Sequence, residues 1–148
     1  MTKTLRELIL SGRFTEAKKM SQLIEFKKLS DLLFNIGYED ESLCAYSFIC
    51  FLILENESAD LHCEASALLK GAFSYLNGAY SAAFYHIKRA LMLSPDDIDL
   101  EETLLSFYFL PLIEPLLSKE EVEKIADRIL KQKPNSLAAK DVFNESRD

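Results

Sequence analysis

Three places in this 148-residue chain bring together side chains that could do chemistry. His62 is followed by Cys63, the residue types of a soft metal site or of a thiolate activated by an imidazole. Glu101-Glu102 and Glu120-Glu121 are paired carboxylates, the residues that can divide general-acid and general-base work. Each has a plainer explanation. Adjacent residues on a helix do not face each other, so His62 and Cys63 read as packing residues. Paired acids in a first helical turn answer the positive end of the helix dipole. The chain has no Gly-rich phosphate loop, no HExxH and no GxSxG. The expectation is a protein with no catalytic residues, no metal ligands and no cofactor. His86 is expected to face solvent, opposite the stripe that contains Ile87.

The elements that carry these residues are helical. Tyr80, Ala83, Phe84, Ile87, Ala90 and Leu91 recur at the spacing of one apolar helix face, with Lys88 and Arg89 on or near the other. Pro95 stops that helix, because it lacks an N–H and pushes Ser94 out of the α region. Gly78 allows a tight turn from a preceding helix, Cys63 to Leu76. Residues 60–95 therefore read as two antiparallel helices with a very short connection. Only four Gly and four Pro occur, which disfavours turn-rich β architectures, and the 3.6-residue period recurs along nearly the whole chain. The fold class is all-α, in one domain spanning 1–148.

Charge narrows the partners. The formal net charge is −7 and the sequence pI about 4.9. Lys and Arg are scattered, so the basic patch of a nucleic-acid binder is missing. An acidic surface favours a basic partner, although it also serves solubility alone. Cys44, Cys50 and Cys63 are odd in number and form no CxxC, which argues against a disulfide framework or a zinc site. They read as buried thiols of a reducing compartment. The opening MTKTLRELILSG has no signal-like apolar run, and CAYSFICFLIL (residues 44–54) is too short to cross a bilayer. A cytoplasmic protein, off the membrane, is expected.

Internal echoes point to a repeat. Gly12-x-Phe14-x-x-Ala17 and Gly78-x-Tyr80-x-x-Ala83 share glycine, aromatic and alanine at equal offsets, 66 residues apart. This is close to twice a ~34-residue helical-hairpin period. A degenerate copy falls between them at Gly37-Tyr38, followed by the apolar helix 43–54. After Pro95 comes a helix from about Asp99 to Leu110, then a break at Pro111 and Pro115. The capping box of Ser118 and Glu121 then opens a helix over 120–131, which Pro134 ends. Breaks are expected near Gly12, Gly37, Gly78, Pro95, Pro111–Pro115 and Pro134, with about eight helices in antiparallel pairs.

The central unit resembles a tetratricopeptide repeat. With Pro95 as the terminal proline, Gly71, Gly78, Tyr80, Ala83 and Ala90 fall on its preferred positions, while Ala67, Lys70, Ser74 and Ile87 depart from it. The resemblance implies a short α-solenoid of about four antiparallel helical hairpins, with 60–97 the clearest repeat. Several runs are also similar to small tetratricopeptide-like bacterial immunity proteins, which protect cells from contact-dependent growth inhibition and related polymorphic toxins. These are Leu76 to Pro95, Ile98-Asp99-Leu100, Glu102 to Tyr108, Leu117 to Glu121 and Tyr46 to Ser58. What that similarity implies is binding to a cognate toxin, plausibly a basic nuclease such as an RNase. The alternative is a tetratricopeptide adaptor or secretion chaperone that cradles an extended peptide. A regulatory subunit or assembly factor is a third reading.

Two sets of residues are candidates for that surface. Glu39-Asp40-Glu41, then Glu55, Glu57, Asp60 and Glu64, then Asp96, Asp97, Asp99, Glu101 and Glu102 form three acidic clusters that contain no Lys or Arg. In the repeat register the last two precede successive first helices. Glu57, Asp60, Glu64, Asp96, Asp97, Asp99 and Glu102 are therefore nominated as toxin-binding. Phe48, Phe51, Tyr85, Phe107 and Tyr108 are expected in the core. The same register puts Tyr75 and Phe109 on a concave face, where an aromatic can anchor a partner, and a core position fits them equally well.

Overall fold

The computed structural model describes residues 2–145. Among them the chain forms nine α-helices and one 3-10 turn, and no strand. The helices are α1 (Leu5–Leu10), α2 (Phe14–Ser21), α3 (Phe26–Glu39), α4 (Cys44–Glu55) and α5 (Ala59–Lys70). They continue with α6 (Ala79–Leu93), α7 (Ile98–Ser106), the 3-10 turn Phe107–Phe109, α8 (Lys119–Gln132) and α9 (Leu137–Glu145). The all-α reading holds. The chain divides into two compact units, Met1–His86 and Ile87–Asp148, with the boundary inside α6.

Local chemistry sets most of the helix ends. Thr4 caps α1 and Ser118 caps α8, each completing a capping box with the glutamate three residues on. Ser58 and Asp97 accept hydrogen bonds from the first-turn amides of Leu61 and Leu100 and so start α5 and α7. Gly12 and Gly78 take φ of +74° and +83°, a region open to glycine without strain, and each lies in the turn before a helix. α6 and α8 end just before Pro95 and Pro134.

In the first unit, α1 packs on α2, α3 on α4 and α4 on α5, with α1 also against α3 and α4. Ile9, Leu33, Ile36, Phe48, Ile49, Leu68 and Phe73 are fully enclosed there. In the second unit α7, α8 and α9 pack on one another. Leu105, Phe107, Val122, Ala126 and Ile129 form their shared interior. Buried apolar side chains of this size each contribute about 1.5–3 kcal/mol.

Several expectations are corrected. Gly37 is not a break but lies inside α3, and the turn comes later, where Glu41 takes φ of 50°. Gly37 is required for contact: a Cβ there would lie 2.7 Å from the Ala72 Cβ. Gly71 is crowded in the same way, with its Cβ position 2.7 Å from the Tyr38 hydroxyl. The helix expected over 63–76 is α5, which stops at Lys70, so the link to α6 is a run of turns rather than a very short connection. The helix expected to Leu110 tightens to a 3-10 turn after Ser106.

Candidate functional site

The nominated acids fall into two groups by what their side chains do. Glu57 accepts from His62 at 2.8 Å. Glu64 is buried, 7% exposed, and accepts from the Ser30 hydroxyl at 2.8 and 2.9 Å. Burial pushes its carboxyl above the usual range, against the Ser30 hydrogen bond, and nearby Asp31 adds to the rise. Asp97 caps α7. Glu102 receives Lys133 and the Ser136 hydroxyl, both at 2.7 Å. Those hydrogen bonds, the Lys133 one first, hold its carboxyl below the usual range. These four acids serve the fold. Asp60, Asp96 and Asp99 are exposed and hold no salt bridge among the described residues.

The clusters are therefore not base-free in space. Arg6 reaches Glu39 at 3.0 Å and Asp40 at 2.5 Å, and Lys18 reaches Glu55 at 2.8 Å. In the second unit Arg128 lies 2.5 Å from Glu101. Each of these bases lies 27 to 37 residues from its acid in sequence, which is why a local count missed it.

The aromatics divide as well. Tyr75 is 67% exposed and Phe109 40% exposed, so neither is a core residue. Phe48 and Phe107 are buried as expected, Phe51 and Tyr108 are half-buried, and Tyr85 is exposed. The second unit holds a cleft of about 470 Å³. Leu91, Pro95 and Ile98 contribute apolar surface, and Lys88, Asp96 and Arg128 contribute charge. Asp96 is the member of this cleft that belongs to the nominated set.

The interior of the first unit contains the most organised polar cluster, and sequence reasoning missed it. His86 is 5% exposed rather than solvent-facing. Its Nδ1 lies 2.9 Å from Nδ1 of His62, itself 2% exposed. His86 Nε2 lies 2.8 Å from the Tyr46 hydroxyl, and His62 Nε2 lies 2.8 Å from the Glu57 carboxylate. Cys50 lies one turn along α4, where its sulfur can accept from the Tyr46 hydroxyl. Burial raises the Tyr46 hydroxyl first, with Cys50 adding to the effect; burial also raises the Cys50 thiol against the Tyr46 hydrogen bond. A thiol held in its protonated form is a poor nucleophile. All three cysteines are free and half-buried. No group of three His, Cys, Asp or Glu that could hold a metal occurs among the described residues.

No helix among the described residues is long and apolar enough to cross a membrane. Comparison of the chain with protein-family models, with curated proteins and with solved structures gives no match.

Proposed function

We propose that this chain is an immunity protein of a contact-dependent or other polymorphic toxin system. It binds and neutralises a cognate, basic toxin domain, plausibly a nuclease, through its acidic surface. The observation that carries this reading is the set of exposed acids without salt bridges, Asp60, Asp96 and Asp99, on a chain of net charge −7. Carboxylates of this kind can occupy the place of nucleic-acid phosphates on a basic protein and speed its capture. The tetratricopeptide-like stacking of hairpins, a cytoplasmic location and the absence of a catalytic role belong to the same reading. Protection at low toxin concentration calls for a nanomolar Kd, about −12 kcal/mol, and an interface of roughly 1,600 Å² is ordinary for that task.

The test is charge reversal confined to the acids the fold does not use: Asp60→Lys, Asp96→Lys and Asp99→Lys together. The toxin source is the product of the reading frame immediately upstream, co-expressed in a sensitive cell. The triple variant should fold and melt like the parent, lose protection, and associate more slowly with a weaker salt dependence. A folded triple variant that protects fully and associates at the parental rate would falsify this reading. The exposed rings of Tyr75 and Phe109 support the alternative, an adaptor or secretion chaperone. Under that alternative Tyr75→Ala with Phe109→Ala abolishes binding of an extended peptide while the charge reversals do not.

A further inference from the structure

The polarity of the hydrogen-bonded chain Glu57–His62–His86–Tyr46, buried at its two histidines and exposed at Glu57, follows from one fact. An ionised carboxylate only accepts hydrogen bonds, so His62 Nε2 carries the proton that faces Glu57. Neutral His62 then presents a bare Nδ1, and the proton between the two rings belongs to His86 Nδ1. Neutral His86 in turn presents a bare Nε2, which accepts from the Tyr46 hydroxyl. Every polar atom in the chain is satisfied in a single direction.

One added proton can also be satisfied. It sits on His62 Nδ1 beside the Glu57 carboxylate and donates to His86, whose own proton moves to Nε2 and donates to Tyr46; Tyr46 then donates to Cys50. The same contacts persist, with the polarity of His62–His86 and His86–Tyr46 reversed and that of His62–Glu57 unchanged. A second added proton has no place. Both Nδ1 atoms would carry hydrogen, two imidazolium rings would face each other at 2.9 Å, and neither could accept.

We propose that this chain is a proton-operated latch between α5 and the first turns of α6, closed with neither imidazole charged or with only one charged, and opened when both are. The groups facing the pair are Tyr46 and Cys50 from α4, Glu57 from the α4–α5 link, and Tyr85 on α6, whose ring meets His86 edge-on. Glu57 is the only carboxylate among them and it already serves His62. His86 bonds to His62 and to the Tyr46 hydroxyl, and neither supplies a negative charge to offset a second positive one. Burial, and then the neighbouring His62, lowers His86 to about 4. An unfolded chain takes up that proton near pH 6.5. Acidification from 6.5 to 4 therefore loads the unfolded state first and weakens the fold.

The chain has two histidines, so its imidazole nitrogen NMR spectrum contains these rings alone. At pH 7 the folded protein should show His86 as the Nδ1–H tautomer and His62 as the Nε2–H tautomer. The His86 ring should stay neutral at pH 5, and its protonation near 4 should coincide with loss of α5–α6 contacts. Across pH 6.5 to 4, the unfolding constant of the parent should rise relative to that of His86→Gln by on the order of 100-fold. Should His86→Gln not fold, Tyr46→Phe serves, because loss of the hydroxyl donor should move the His86 titration upward. The latch is overturned if His86 is the Nε2–H tautomer at pH 7. It is equally overturned if both rings are charged at pH 5 in an intact fold, or if the parent and His86→Gln share one pH profile.

Discussion

His62 Nδ1 and His86 Nδ1 lie 2.9 Å apart with both residues almost fully enclosed, so each ring depends on the other for a hydrogen bond it cannot make to water. Replacing one leaves the other with an unsatisfied buried nitrogen, which costs about 1–3 kcal/mol. His62→Phe and His86→Phe should each destabilise by that amount, and the double replacement should cost clearly less than their sum. The coupling in a double-mutant cycle from urea melts at pH 7 should be about 0.5–3 kcal/mol. Strict additivity would show that the pair is not bonded.

Gly37→Ala sets two effects against each other. Within a helix, alanine is favoured over glycine by about 1 kcal/mol. The new methyl would lie 2.7 Å from the Ala72 Cβ, and both residues are buried, so the neighbour must move. Overpacking of a tight site costs about 1–3 kcal/mol and should win. A lower denaturant midpoint for Gly37→Ala, partly restored by adding Ala72→Gly, is the expected result. A raised midpoint would show that the Ala72 contact relaxes and that the helix preference for alanine wins.

Glu64 makes a pH-dependent prediction of unusual sign. Its carboxyl is raised, so the fold disfavours the charged form; the folded state protonates before the unfolded state does. At neutral pH the charge is therefore a burden, and it is lifted as pH falls through the folded value. Glu64→Gln keeps a group for Ser30 to bond and should stabilise the protein at pH 7. That gain should shrink steadily on acidification. A variant that is less stable than the parent at pH 7 and equal to it at low pH would reverse the argument.

Arg128 covers a carboxylate in the first turn of α7. The Glu101 side chain is 7% exposed, while Arg128 is 57% exposed. Arg128→Ala should cost about 1–3 kcal/mol, because it strands a buried charge rather than because a surface pair is lost. Glu101→Gln introduced alongside should recover part of that loss. Thermal melts of the two variants decide the matter, and an unaffected Arg128→Ala would show that Glu101 is satisfied without it.

Much of the helical architecture is legible in sequence because it is written locally. The Ser118–Glu121 capping box, the positive-φ glycines 12 and 78, and the prolines 95 and 134 act on atoms a few residues away, and each marks an end that the structure keeps. Ala83 and Ala90 are buried as the apolar period requires. The same period misplaces the centre of the α6 stripe. Ala79, Ala83, His86, Ile87 and Ala90 are the buried set, a face rotated toward His86 and away from Leu91. Composition alone assigns a histidine to the polar side, and only a partner in the interior overrides that.

What tertiary structure alone decided is which distant residues meet. His62 finds His86, Glu64 finds Ser30, Glu102 finds Lys133, and the apparently uncompensated acids find Arg6, Lys18 and Arg128. Gly37 was ambiguous for the same reason: glycine serves a left-handed turn and a close approach equally, and the choice depends on whether Ala72 arrives beside it. Helix periodicity and capping act over three or four residues, so one chain segment carries them complete. Partnership between segments depends on how the helices pack, and no local pattern of residues encodes the identity of the neighbour.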